Sequence, residues 1–234
     1  MTGAPLVVVA HGSRDPRSAA TIRALVSGLD ARVSFLDLSE PLLTDVLRSL
    51  YAEGHREAVV VPLLLGRAYH ARVDLPALVL EVPRLRVSIA DVLGADPVLE
   101  DIALDRLREA GADPADPELG VVLAAVGSSQ APANAAVTEL ARRWHRRYPM
   151  LVTAAFASAT KPDVPAAMAK LRARGARRFA VASWFLAPGL LPDRIAHLAR
   201  TAEPTVALAD SLAPDQRIAE LVLERYHSTL ARAA

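Results

Sequence analysis

The sequence predicts an α/β protein of two tandem, similar lobes, each a mainly parallel sheet flanked by helices. Three observations carry this: short apolar runs without polar alternation, segments of helical period between them, and a return of the whole pattern in the second half. Unbroken apolar runs suit strands buried on both faces, as a parallel sheet with helices on its faces requires. LVVVA at 6–10, VSFLDL at 33–38, AVVVPLLLG at 58–66 and LRVSIAD at 85–91 are the expected strands of the first half. Between them, PRSAATIRALVSGLDA (16–31) carries proline in its first turn, and PLLTDVLRSLYAEGH (41–55) runs to a glycine stop at Gly54. The segment REAGADPADPELG (108–120) is rich in proline, glycine and acids and has no period, so it reads as the junction. The expected division is a lobe over 1–110, a linker over 111–117 and a lobe over 118–234. In the second half, VVLAAVGSS (121–129), LVTAAFAS (151–158) and RRFAVASWFLAPG (177–189) repeat the strands. APANAAVTELARRWHRRY (131–148), KPDVPAAMAKLRARG (161–175) and LLPDRIAHLART (190–201) repeat the helices.

Composition narrows the function classes. Of 234 residues, 52% are hydrophobic and 23% charged, and no apolar run approaches the roughly 18 residues of a membrane span. The first residues lack a basic stretch ahead of an apolar core and cleavage site, so a cytoplasmic protein without a membrane partner is expected. A net charge of +1 gives no electrostatic case for nucleic acid. Of the 27 basic residues only two are lysine, a bias best explained by gene base composition. Zero cysteines exclude disulfides, thiolate metal sites and cysteine nucleophiles, leaving histidine and carboxylate as the reactive candidates.

The repeat singles out which of these to consider. Pro41 pairs with Pro162, Gly54 with Gly175 and Leu65 with Leu186, all at an offset of 121, while the first strands align at 115. His11, in AHGSRD, then falls on Val126, and His70, in LLLGRAYHARVDLP, falls on Leu191. The second lobe dispenses with both histidines, which points to chemistry rather than folding and to one site, in the cleft between duplicated lobes, with lobe one supplying the reactive groups. His11 directly follows the first strand, His70 follows the third by a short loop, and Asp37 ends the second. All three belong at the carboxyl ends of parallel strands, where open α/β sheets bind ligands. Taken singly, each has a plain reading as a helix-capping histidine, a surface histidine or a polar strand end. Together they form a His, Asp, His set suited to a divalent first-row metal or a proton relay. His55, His145, His197 and His227 read as structural or solvated.

VVVAHGSRDP, then FLDLSEP, then VPLLLGRAYHARVDLP resemble the sirohydrochlorin chelatase family in its two-lobed bacterial form, relatives of the class II chelatases. The resemblance spans nearly the whole chain, including the degenerate second lobe. It implies insertion of Fe2+ or Co2+ into sirohydrochlorin, an octacarboxylate tetrapyrrole, for sirohaem or cobalamin synthesis. His11 and His70 would then be the catalytic and metal-contacting histidines. Asp37 stands where many members have glutamate, one methylene longer, and Ala68 replaces a glycine common in the loop before His70.

The chemistry fits these residue types. Metal insertion removes two pyrrole N–H protons and strips water from the cation, and imidazole serves both tasks near neutrality. A carboxylate beside it stabilises the imidazolium and attracts the cation. The metal is thus expected as substrate, with no permanent cofactor, because a resident zinc site would need three or four ligands and an oriented surround. Gly12, Ser13, Arg14, Arg67, Arg72 and Arg194, with Arg17, lie in or beside the expected rim loops and are the candidates to hold substrate carboxylates. Two other classes compete. A histidine phosphatase normally has arginine immediately before its histidine, where Ala10 stands; a noncatalytic tetrapyrrole or metal carrier would use the same residues without turnover.

Overall fold

The computed structural model describes residues 3–66, 74–94 and 96–233. Among the described residues eight strands alternate with eight helices: β1 (Leu6–Ala10), α1 (Pro16–Val26), β2 (Ala31–Phe35), α2 (Leu43–Ala52), β3 (Glu57–Pro62), α3 (Leu75–Leu80), β4 (Arg86–Ile89) and α4 (Pro97–Glu109) come first. The second series is β5 (Leu119–Ala125), α5 (Ala131–Arg147), β6 (Leu151–Phe156), α6 (Val164–Ala173), β7 (Arg178–Ser183), α7 (Leu190–Ala202), β8 (Ala207–Leu208) and α8 (Gln216–Ala233). They build two four-stranded sheets of orders β2-β1-β3-β4 and β6-β5-β7-β8, with every pairing parallel. The predicted fold class is the observed one.

Each central strand is apolar throughout because each is buried throughout: every residue of β1 and of β5 is shielded from solvent. Pleating splits the load. In the first sheet Val7, Val9, Ala58 and Val60 face Leu43, Val46, Leu47 and Leu50 of α2 and Leu75 of α3. In the second, Val122, Ala124, Ala155 and Val181 face Val164, Ala167, Met168 and Leu171 of α6 and Ile195 and Ala199 of α7. The helix starts follow the Asp-Pro grammar of the sequence. Asp15 accepts from the Arg17 backbone N–H at 3.0 Å ahead of Pro16, and Asp96 accepts from the Val98 N–H at 3.0 Å ahead of Pro97. Asp163 caps α6 through the Ala166 N–H at 3.1 Å.

The compact units do not follow the expected division at 110 and 118. One consists of residues 1–94 and 213–234, the other of residues 95–212. The last helix of each repeat is exchanged: α8 packs on β3, β4 and α1, and α4 packs on β7. Residues 111–117, expected as a linker, are instead a turn inside the second unit. Its prolines and acids serve tight local geometry, with Asp113 accepting from the Ala115 N–H at 2.9 Å and Asp116 from the Glu118 N–H at 2.9 Å. Asp116 is further clamped to Arg178 of β7 through Arg178 Nη2 at 2.8 Å. The strands also stop earlier than their apolar runs suggest, β2 at Phe35 and β3 at Pro62. Beyond Phe35 the chain turns through a positive φ at Leu38, which no strand accommodates.

Candidate active site

In the order β2-β1-β3-β4, β1 is flanked by the two strands that follow it in sequence. The chain leaves β1 toward one side for β2 and crosses back for β3, so the carboxyl end of β1 is a topological switch point, where open sheets leave a crevice. His11 is the first residue past that end. The β1–α1 loop holding it lies against the β2–α2 loop through main-chain contacts that continue the parallel ladder. Leu36 N–H donates to the Ala10 carbonyl at 2.9 Å, and Asp37 N–H to the His11 carbonyl at 3.1 Å. Gly12 makes this approach possible. It has φ +97°, and a Cβ there would sit 1.7 Å from the Asp37 carbonyl oxygen. The backbone contact brings the side chains together, with His11 Nδ1 3.4 Å from Asp37 Oδ1. Both remain reachable from solvent, His11 being 46% and Asp37 54% exposed. At this distance and exposure the two groups are neighbours at the surface rather than a buried structural hydrogen bond.

Ser39 secures the junction. Its hydroxyl accepts from Ser13 N–H at 3.0 Å and donates to the Ser13 carbonyl at 2.9 Å, locking one loop to the other. In the sequence only the repeat signals this residue, as a hydroxyl-bearing position whose counterpart at the offset of 121 is Thr160.

The second unit reproduces the frame without the chemistry. Gly127 has φ +86°, and a Cβ on it would lie 2.1 Å from the Ser158 carbonyl oxygen. Ala157 and Ser158 N–H groups donate to the Ala125 and Val126 carbonyls, both at 2.9 Å. The loop that Ser39 locks in unit one is held here by Asn134, which bonds both the N–H of Ser128 (2.9 Å) and its carbonyl (2.7 Å). Val126 and Ser158 occupy the places of His11 and Asp37. The backbone contacts that shape the loop pair recur in both units, and in the second the Ser158 hydroxyl adds a bond to the Val126 carbonyl at 3.0 Å, so the frame forms there without an imidazole or a carboxylate.

The other predicted site residues divide clearly. His70, Arg67 and Arg72, together with Ala68, lie outside the described residues. Gly12 and Ser13 are in the loop, but Gly12 is required by the close backbone approach, as Gly127 is, and the Ser13 N–H is already bound to Ser39. The Ser13 hydroxyl accepts from Asp15 N–H at 3.1 Å. These two residues frame the site, with the Ser13 N–H engaged by Ser39. Arg17 is committed to Asp15, with Nε 3.0 Å from Oδ1, and these bonds hold the Asp15 carboxyl below its usual range. Arg14 is exposed and pairs with no carboxylate among the described residues. Arg194 is exposed on α7. Leu191, the counterpart of His70, packs against the core of the second unit. Of the remaining histidines, His145 is structural as expected: Nδ1 lies 3.0 Å from the Met150 carbonyl and Nε2 2.9 Å from Arg174 Nη2. Both ring nitrogens thus have partners within the second unit.

Among the described residues no three His, Asp or Glu side chains gather as a metal site, and no helix is long and apolar enough to cross a membrane. The fold and the half-exposed imidazole–carboxylate pair at a switch point define a class: a two-unit parallel α/β protein with a histidine and a carboxylate side by side at the carboxyl end of β1 in its first unit. A family model described as CbiX matches residues 5–110 and 120–229, the two sequence repeats, and the chain belongs to that family. It is similar to the sirohydrochlorin ferrochelatase of Bacillus subtilis strain 168, 25% identical over 241 residues, covering 97% of this chain and 92% of the relative. The sirohydrochlorin cobaltochelatase of Priestia megaterium is 24% identical over 210 residues, covering 83% and 68% respectively. Among solved structures, SirB from Bacillus subtilis with Fe3+ superposes with a TM-score of 0.79 at 22% identity, over 99% of this chain and 97% of that one. SirB from Bacillus subtilis subspecies spizizenii in complex with cobalt gives 0.77 at 21% identity, over 98% and 96%. At these identities the structural likeness establishes the fold.

Proposed function

We propose that this protein is a sirohydrochlorin chelatase, a cytoplasmic enzyme that inserts Fe2+ or Co2+ into the tetrapyrrole for sirohaem or cobalamin synthesis. The observation that carries the reading is the His11–Asp37 pair, held 3.4 Å apart on a loop frame that the second unit keeps while replacing both groups. Membership of the CbiX family and relatives bearing both chelatase names support it. The reaction consumes M2+ and the free tetrapyrrole and releases two protons, one from each of two pyrrole N–H groups. His11 accepts such a proton or contacts the incoming cation, and Asp37 stabilises the resulting positive charge across the short gap. His70 is the second reactive histidine. Arg14, Arg67, Arg72 and Arg194 hold peripheral carboxylates, and the metal is a substrate that passes through a sparse ligand set rather than a resident cofactor. Mixing the protein anaerobically with sirohydrochlorin and either Fe2+ or Co2+, and following the visible spectrum, tests this. Catalysed conversion supports a chelatase. Stoichiometric binding without turnover is the carrier's behaviour and overturns the proposal.

A further inference from the structure

Among the described residues only two non-glycine side chains sit at positive φ, Leu38 at 56° and Ala159 at 60°, and they are counterparts at the offset of 121. Each is the centre of a three-residue turn: Ser39 N–H closes on the Asp37 carbonyl at 2.6 Å, and Thr160 N–H on the Ser158 carbonyl at 2.7 Å. Such turns are rare and strained, and the strain at positive φ is least for glycine and small polar residues. Alanine is the smallest chiral compromise. Leucine is a poorer choice, since it is branched and apolar, and here its side chain is not repaid by burial, being 53% exposed. Folding therefore gives no reason for leucine at this point, and the second unit shows that alanine completes the same turn.

Leu38 stands between Asp37, which faces His11, and Ser39, which locks the His11 loop, so its placement is as fixed as that of the reactive pair. We infer that Leu38 is a substrate-positioning contact, an apolar seat for the tetrapyrrole ring that brings its nitrogen centre to His11. This inference rests on the chelatase reading. A tetrapyrrole that carries carboxylates around an apolar macrocycle needs two kinds of contact. Arginines hold the rim of the ring but leave its height and tilt free, and an apolar side chain beside the proton acceptor fixes them. A strained residue that weakens the fold and serves the ligand is the expected signature of such a role.

The test separates the fold from the ligand. Parent, Leu38→Ala and Leu38→Gly are compared in thermal midpoint, in metal-free sirohydrochlorin binding by fluorescence quenching, in Co2+ binding without tetrapyrrole, and in steady-state chelation. The expected result is a thermal midpoint equal to or above the parent's, highest for Leu38→Gly, with tetrapyrrole binding weakened roughly 5- to 10-fold and KM raised in step, about the effect of covering half a leucine side chain. Co2+ binding should not change. Unaltered tetrapyrrole binding in both variants overturns the inference, as does a midpoint that falls along with affinity, which makes Leu38 a folding residue. A parent protein that neither binds nor metallates sirohydrochlorin defeats the chelatase reading itself. A parent that turns over normally beside unaffected variants defeats only the assignment of Leu38.

Discussion

Replacing Gly12 with alanine tests whether the loop contact sets the site. The added Cβ would lie 1.7 Å from the Asp37 carbonyl oxygen, against the roughly 3.3 Å that a carbon and a carbonyl oxygen tolerate, so the loops must part by about 1.6 Å. That movement acts on the very residues that pair, because the His11 carbonyl receives the Asp37 N–H. A residue with a Cβ at φ +97° costs about 1 kcal/mol, and relieving the overlap costs about 1–3 kcal/mol more. The total of about 2–4 kcal/mol lowers the thermal midpoint by roughly 4–16 °C. Gly127→Ala is the internal control, since its Cβ meets the Ser158 carbonyl oxygen at 2.1 Å in a loop pair where Val126 and Ser158 stand in place of His11 and Asp37. Calorimetry should show a comparable loss of stability for both variants. Chelation, measured well below both midpoints, should separate them: Gly12→Ala falls about 10²-fold or more, as a misplacement of about 1 Å does in a preorganised site, while Gly127→Ala stays within a few-fold of the parent. The reasoning is refuted if Gly127→Ala loses as much turnover as Gly12→Ala, or if Gly12→Ala chelates at the parent rate.

His11→Ala and His70→Ala should each lower turnover by about 10²-fold or more, with the double variant far from additive, and the His11 change should leave the thermal midpoint close to the parent's because Val126 completes the same frame. Arg194→Ala should mainly raise KM for the anionic tetrapyrrole, whereas Val126→Ala should keep measurable chelation; steady-state kinetics that reverse this pattern reject the division of labour between the repeats. Asp116→Asn should destabilise the protein at neutral pH. Hydrogen bonds from Arg178, foremost, hold the Asp116 carboxyl below its ordinary value of 3.8, so its contribution is complete above that value and is lost as pH falls through the lowered folded one. Urea titrations should therefore show parent and variant converging on acidification, and a constant gap down to the lowest pH of folding would contradict the assignment.

What the sequence disclosed follows from which forces are local. Buried parallel strands announce themselves because both faces must be apolar, so LVVVA and VVLAA were legible as β1 and β5; alignment of the two halves located His11 by the valine that replaces it, whereas Asp37 stood out only as the polar end of the second strand. The exchanged helices were not legible. A helix shows the face it must bury, but not which sheet receives it, so α4 and α8 followed packing rather than chain order. The proline and acid residues of 111–117 suggested a loose connection because Asx turns and a clamp to Arg178 look, in one dimension, like linker composition. Gly12 shows the same limit at the site. Glycine before a helix suggests an anion seat, whereas the reason for it is a neighbouring carbonyl oxygen from a loop 25 residues away, at Asp37. The repeat resolves the ambiguity because it holds the frame constant. Features shared by both units, such as the glycine, the ladder extension and the strained turn, belong to folding. Features of the first alone, His11 against Val126, Asp37 against Ser158 and Leu38 against Ala159, are what folding leaves unexplained, and they lie within one stretch of contacting loop at the carboxyl end of β1.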